Sequence, residues 1–153
     1  MKIQLQNQYL IPLIPFLKEM KLKGERSRAR SKFLALAMEA FAALHESELE
    51  LLREYAVLDA DGNPKVTGDG TDGDRFTLRD AAAAREYMAE REKLFTEVAE
   101  IEGGTYTEHL ALMRQILADY DEELDGENAA LYDALCDAFD ATAPQKGVSD
   151  DAG

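Results

Sequence analysis

The chain has 153 residues, of which 46% are hydrophobic and 31% charged, and its formal net charge at pH 7 is −14. This composition is too apolar for a disordered chain, and the length most simply forms one domain with one core. The single cysteine, Cys136, excludes an internal disulfide and favours a reducing compartment, with the thiol buried and inert. No stretch of about 18 residues is free of charge, which argues against a membrane span and predicts a soluble, cytoplasmic protein.

The N-terminal third of the chain contains a strand pattern followed by two helix patterns. Residues 2–6, KIQLQ, alternate between apolar and polar side chains, which predicts a short strand with Ile3 and Leu5 on one face. A short helix is expected over about residues 9–22. Residues 25–57 contain neither glycine nor proline, and apolar residues recur there mostly at spacings of three or four. This segment is predicted to be one long amphipathic helix.

Residues 59–74, DADGNPKVTGDGTDGD, invite comparison with a calcium-binding loop. Such a loop needs glycine at its sixth position and glutamate at its twelfth, whereas a loop starting at Asp59 has Pro64 and Gly70 there. The Asp-Gly and Asn-Pro pairs are typical of turns, and the short runs between them are β-prone. We therefore predict a small β-hairpin over residues 58–76, inserted between two helices, with no bound metal.

A third helix is predicted to begin in the sequence TLRD. The Thr77 hydroxyl is expected to cap it, with Asp80 in its first turn, where a carboxylate suits the positive end of the helix. The helix is expected to run to about Glu102. As an alternative, residues 98–102 are extended and pair with the N-terminal strand.

The C-terminal part of the chain is predicted to hold two more helices. Thr107 is expected to cap the fourth helix, which ends at the Asp-Gly pair 125–126. A fifth helix is expected over about residues 127–140, followed by a polar, disordered tail over residues 141–153. The predicted fold is mainly α, a bundle of four to five helices with one long helix and a small β-hairpin insertion, forming a single domain over residues 1–140.

Charge is distributed unevenly along the chain. Residues 18–32 hold seven of the 17 basic residues and have a local net charge of +5, whereas residues 96–153 have a net charge of −13. The acidic half predicts a partner-binding face that includes Glu122, Glu123, Asp133 and Asp137. The basic patch comprises Lys21, Lys23, Arg26, Arg28, Arg30 and Lys32.

These charges bear on the kind of partner. The acidic half argues against direct binding of nucleic acid, because neutralising phosphate requires lysine and arginine. It favours a basic protein, for example a nucleic-acid-binding protein whose groove accepts negative charge. The alternative is that the acids only solvate helix faces and keep the chain soluble. The basic patch is expected to complement the acidic half within the fold or in a homo-oligomer, with a phosphate or an acidic partner as the alternatives.

Motifs for catalysis and cofactor binding are scarce in this sequence. His45 and His109 have neither the Glu-x-x-His spacing of di-iron bundles nor the His-x3-His spacing of zinc sites. A glycine-rich phosphate loop and a nucleophile motif of the G-x-S-x-G type are also missing. The sequence therefore predicts a protein that is not an enzyme and that uses no cofactor.

One carboxylate pattern nevertheless suggests an enzyme. Glu97-x-x-Glu100 and Glu122-x-x-Asp125 resemble the paired motifs of all-α nucleoside triphosphate pyrophosphatases, which include some phage dUTPases. Carboxylate pairs on two antiparallel helices can converge to hold Mg²⁺, which orients a polyphosphate and activates water. Both pairs lie at predicted helix ends, and lysine or arginine for phosphate contacts is not evident nearby. A Mg²⁺-dependent pyrophosphatase is therefore kept as an alternative.

Several longer segments carry a family resemblance, namely MKIQLQNQYLIPLIPFLKEMKLKGERSRARSKFLAL, LLREYAVLDADGNPK, EIEGGTYTEHLALMRQIL and LYDALCDAF. Together they resemble a family of small acidic proteins encoded by phages and prophages of Gram-positive bacteria, over most of residues 1–140. The resemblance implies an infected or lysogenic bacterial host and an α-helical fold with a hairpin insertion. It supplies no catalytic residues to transfer.

Two classes of function follow from these observations. The first is a phage accessory protein that binds another protein, in its most specific form an anti-CRISPR-like inhibitor of a host nucleic-acid-targeting defence protein. A virion or tail-assembly component belongs to the same class. The second class is the Mg²⁺-dependent pyrophosphatase.

Overall fold

A computed structural model describes residues 2–67, 75–103 and 108–142 of the chain. In chain order its elements are β1 (Lys2–Gln6), α1 (Leu10–Glu19), α2 (Gly24–Tyr55), β2 (Val66–Thr67), β3 (Arg75–Phe76), α3 (Ala81–Thr96), β4 (Val98–Glu102), α4 (Glu108–Ala118) and α5 (Gly126–Ala141). The mainly α fold with one long helix and a small β-hairpin is therefore confirmed.

The chain forms two compact units. Unit 1 comprises residues 1–40 and 98–153, and unit 2 comprises residues 41–97. The long helix α2 contributes its N-terminal half to unit 1 and its C-terminal half to unit 2. That residues 1–140 behave as a single domain stays a prediction.

The predicted N-terminal strand is confirmed, and so is the alternative for residues 98–102. β1 and β4 pair antiparallel, with Ile3 opposite Ile101, and both of these side chains are buried together with Leu5. The polar residues between them face outward, as the alternation requires. The expectation that the third helix continues to Glu102 is wrong, because α3 ends at Thr96 and the chain turns directly into β4.

The core of unit 1 lies beneath this strand pair and is built from α1, the start of α2, α4 and α5. At its centre the rings of Phe33 and Phe139 meet edge to face, with centroids 5.4 Å apart. Around them lie fully buried leucines and one methionine from three helices: Leu10, Leu13, Leu17, Leu110, Met113, Leu117, Leu131 and Leu135. Each of these helices therefore presents one apolar stripe to a common interior.

Unit 2 joins the second half of α2 to α3 through the predicted hairpin. Backbone N–H groups form a ring of three hydrogen bonds, in which Val57 donates to Thr77, Thr77 to Lys65 and Lys65 to Val57. The backbone of Thr77 is thus hydrogen-bonded within the hairpin, and the prediction that Thr77 caps α3 is wrong. The cap is Asp80, whose carboxylate accepts a 2.7 Å hydrogen bond from the Ala83 amide.

The segment compared above with a calcium loop is described only in part, because residues 68–74 lie outside the described residues. In the described part, Asp59 Oδ1 accepts hydrogen bonds from the amides of Asp61 and Asn63, at 2.9 and 3.0 Å. Gly62 follows with a φ of +82°, a conformation that favours glycine. The Asp59 carboxylate therefore stabilises a turn.

The fourth helix is shorter than predicted, since α4 ends at Ala118 rather than near residue 125. Three consecutive acids follow the helix, and negative charge is unfavourable at the negative end of a helix. The Tyr120 amide instead donates to Leu117 O, which closes a tight turn. The predicted cap Thr107 and residues 143–153 of the predicted tail lie outside the described residues.

Candidate functional site: the acidic groove of unit 1

The four predicted acidic residues belong to two sets. Glu122 and Glu123 lie with Asp121 in the connection between α4 and α5, and these three are called the loop acids below. Asp133 and Asp137, the helix acids, lie one turn apart on the exposed face of α5. All five carboxylates are exposed. The structure thus brings each pair of predicted residues together locally, on neighbouring segments of unit 1.

The loop acids border an open groove between the end of α1, the start of α2 and the α4–α5 connection. Its apolar wall includes Phe16, Met20 and Tyr120, while Glu122 and Glu123 provide carboxylates beside that wall. Such a combination of apolar contacts and negative charge suits a side chain that has an apolar stem and a positive head. Lysine and arginine are side chains of this kind.

Three aromatic rings, tilted against one another, hold the α4–α5 connection in place. The Tyr120 ring lies 5.4 Å from the ring of Phe16 and 5.4 Å from that of Tyr132, measured between centroids. The Tyr132 hydroxyl also donates to Leu117 O at the end of α4, and burial raises the pKa of Tyr132 to about 12. Burial and the neighbouring Glu122 raise the pKa of Tyr120 as well. The loop acids are therefore attached to an ordered aromatic cluster, which the sequence pattern alone did not indicate.

The loop acids and helix acids form no ion pair within the described part of the chain. Two neighbouring acids, Asp119 and Asp140, do form ion pairs. Asp119 lies 2.8 Å from Arg26, and Asp140 lies 3.3 Å from Arg114. Arg26 and Arg114 are thus already paired with other acids, whereas exposed Lys21 lines the same groove as the loop acids. The loop acids and helix acids are all exposed to solvent.

The predicted basic patch divides into internal and exposed residues. The Arg30 guanidinium donates to Leu17 O at 2.9 Å and to Met20 O at 2.6 Å, so it caps the end of α1. Arg26 forms the ion pair with Asp119. The other four residues are exposed: Lys21, Lys23, Arg28 and Lys32. Pairing with an acid of the C-terminal half therefore accounts for Arg26, and a backbone contact accounts for Arg30.

The carboxylates of the pyrophosphatase hypothesis do not lie on two paired helices. Glu97 caps the end of α3, and Glu100 lies on β4, where it is 3.7 Å from the Lys2 ammonium. Glu122 is in the α4–α5 connection, and Asp125 caps α5 by accepting from the Asn128 amide. Among the described residues, no three His, Cys, Asp or Glu side chains are grouped as a metal site requires. The helical geometry assumed for this motif is wrong.

His45 and Cys136 lie in surroundings that give neither side chain a catalytic role. His45 is exposed and stacks on Phe41, with ring centroids 6.5 Å apart. Cys136 is half-buried, and burial raises the pKa of its thiol, which keeps the unreactive protonated form at neutral pH. Of the helices that the structure describes, none has the length and apolar character that a bilayer crossing requires.

Comparison of the chain with protein-family models, with curated proteins and with solved structures found no match. The function is therefore argued from the chemistry of unit 1 alone.

Proposed function

We propose that the chain is a phage accessory protein that acts by binding another protein, with the loop acids and helix acids engaging a basic surface of that partner. The observation that supports this proposal is the exposure of five carboxylates that form no ion pair among the described residues. Three of them, the loop acids, border a groove with an apolar wall. Like charges held this close are unfavourable in the free protein. A basic partner removes that cost and gains complementary contacts.

The partner chemistry points to a nucleic-acid-binding protein. A protein that binds nucleic acid presents lysine and arginine in a groove that matches a row of phosphates. Asp133 and Asp137 form a short row of negative charge along α5, with a rise of about 6 Å between them. In its most specific form, the proposed activity is inhibition of a host nucleic-acid-targeting defence protein by occupation of its basic groove. The cytoplasm of an infected or lysogenic bacterium is the location that this activity implies.

The experiment is a pull-down from a Gram-positive host lysate with tagged full-length protein, at low and high salt, with the bound proteins identified. The test variant reverses four charges: Glu122→Lys, Glu123→Lys, Asp133→Lys and Asp137→Lys. The control variant reverses four exposed acids of unit 2: Glu46→Lys, Glu50→Lys, Glu86→Lys and Glu92→Lys. Both variants change the net charge equally, so a difference between them reports the position of the charge.

We expect the wild-type chain to retain a basic nucleic-acid-binding protein at low salt and to release it at high salt or when duplex DNA is added. The test variant should lose this protein, while the control variant keeps most of it. Equal retention by the two variants would contradict the proposal. Recovery of phage structural proteins alone would favour the virion or tail-assembly role instead.

A further inference from the structure

A second groove of unit 1 runs between β1 and α5, on the side of β1 away from its partner strand. Its volume is about 650 Å³, within the range of sites that hold ligands. Leu5 and Tyr9 line it from the N-terminal segment, and Ala134, Ala138 and Ala141 line it from α5. No residue of β4 lines this groove, although β4 is the strand that pairs with β1. The groove therefore follows the free edge of β1.

The edge of β1 away from β4 has backbone groups with no partner among the described residues. In an antiparallel pair, every second residue points its N–H and C=O away from the neighbouring strand. Within the part of the chain that the structure describes, the backbone hydrogen bonds of Lys2–Leu5 are those to β4, while Gln6 also begins the 3-10 turn Asn7–Tyr9. This edge is about 17 Å long at about 3.4 Å per residue. An edge of this length is a template for another strand.

The opposite wall of the groove leaves room for side chains. α5 presents alanine at positions 134, 138 and 141, so the wall has only methyl groups where larger residues would fill the space. Asp137 lies between these alanines and adds one carboxylate. On β1, the outward side chains Lys2 and Gln4 are polar. A strand beside β1 would therefore meet small apolar groups on one face and polar groups on the other.

We propose that this groove binds an extended peptide segment of a partner protein, which adds to the free edge of β1 as a third strand. An extended backbone is the occupant that fits, because it alone offers N–H and C=O groups at the spacing of the unpaired groups on β1. Alternate side chains of the segment are apolar and face the alanines of α5. A lysine or arginine of the segment faces Asp137. This strand pairing uses none of the loop acids, so it is independent of their part in the proposed function.

The probe is a random library of peptides of about ten residues, long enough to cover the edge at about 3.4 Å per residue. The library is selected on the full-length chain, and the recovered peptide is synthesised and its Kd measured by calorimetry. Two further peptides carry N-methyl groups on alternate residues, one set on odd positions and the other on even positions. Since only one set of amides faces β1, one methylated peptide should lose binding and the other should keep it.

Variants locate the peptide on the protein. Ala134→Tyr fills the groove and should weaken binding at least tenfold, or about 1.4 kcal/mol. Ala130→Tyr makes the same change at an exposed position of α5 outside the groove, and it should change the Kd less than about twofold. If Ala134→Tyr does not fold, Ala141→Tyr repeats the test at the exposed end of α5.

Several results would overturn the proposal. These are failure of the library to yield a peptide, equal effects of the two methylation patterns, and tight binding by Ala134→Tyr. Dimerisation of the free chain that Ala134→Tyr abolishes would assign the groove to a second copy instead. Reversal of Glu122 and Glu123 should leave peptide binding unchanged, so failure of the acidic-surface proposal and failure of this one give different results.

Discussion

Arg30 allows a direct test of which residues in the basic patch serve the fold. The last carbonyl groups of a helix have no partner within that helix. At the end of α1, Leu17 O and the carbonyl of the C-cap residue Met20 accept hydrogen bonds from the same guanidinium nitrogen of half-buried Arg30. Leu17 O also accepts a long 3.3 Å bond from the Met20 amide. We therefore predict that Arg30→Ala removes a cap that joins the end of α1 to the start of α2.

The expected magnitude follows from these two bonds. A hydrogen bond from a charged donor contributes about 1.5 to 3 kcal/mol, and the two bonds here share one nitrogen at a site that water can reach. Arg30→Ala should therefore lower the free energy of unfolding by about 2 to 3 kcal/mol. Arg28→Ala is the matched control, because Arg28 lies on the same helix and is exposed, and it should cost no more than about 0.5 kcal/mol.

Urea unfolding followed by far-ultraviolet circular dichroism measures both variants. With a urea slope of about 2 kcal/mol per molar, the midpoint for Arg30→Ala should fall by about 1 to 1.5 M. Arg30→Lys should fall between the wild-type chain and Arg30→Ala, since an ammonium keeps the charge but loses the planar geometry of the guanidinium. Equal midpoints for Arg30→Ala and Arg28→Ala would refute the capping role.

Two further predictions concern groups that burial affects. Thr77 Oγ1 is buried and has no hydrogen-bond partner among the described residues, so Thr77→Val should leave the free energy of unfolding unchanged or raise it by up to about 1 kcal/mol in the same urea assay. A clear loss of stability would show that the hydroxyl has a partner. For Tyr132, the folded pKa of about 12 exceeds the unfolded value of about 10, so its contribution to stability is complete below pH 10 and is lost as the pH rises through 12. A phenolate absorbance titration should show a component near pH 12 that Tyr132→Phe removes, and its persistence in that variant would assign it to another tyrosine.

Local sequence patterns predicted which helices and strands form, but they predicted the last residues of α3 and α4 incorrectly. The alternation in KIQLQ was sufficient to predict β1, because burial of every second residue is a local property of a strand. The ends of α3 and α4 depend on contacts that are distant in the sequence. β4 is stabilised by pairing with β1, and the turn after α4 depends on Tyr120 lying between Phe16 and Tyr132. Helix periodicity alone carries no information about either contact.

The same distinction applies to the candidate site. Composition was enough to identify an acidic half and to suggest Glu122 and Asp137 as partner-binding residues. It could not separate Arg26 and Arg30 from the rest of the basic patch, because Arg26 pairs with Asp119, 93 residues further along the chain. The groove beside β1 was also beyond prediction, since it requires the pairing of β1 with β4 and the position of α5.

The placement of two acids on α5 is unfavourable for the helix itself. Asp137 and Asp140 lie near the C-terminal end of α5, where the helix dipole favours positive charge, and the last turn contains no basic residue. The loop acids lie between the end of α4 and the start of α5. Arg114 compensates Asp140, but the helix acids and loop acids have no such cation among the described residues. Lysine in place of Asp137 would interact favourably with the helix dipole, and under the proposed function a basic partner would supply that positive charge.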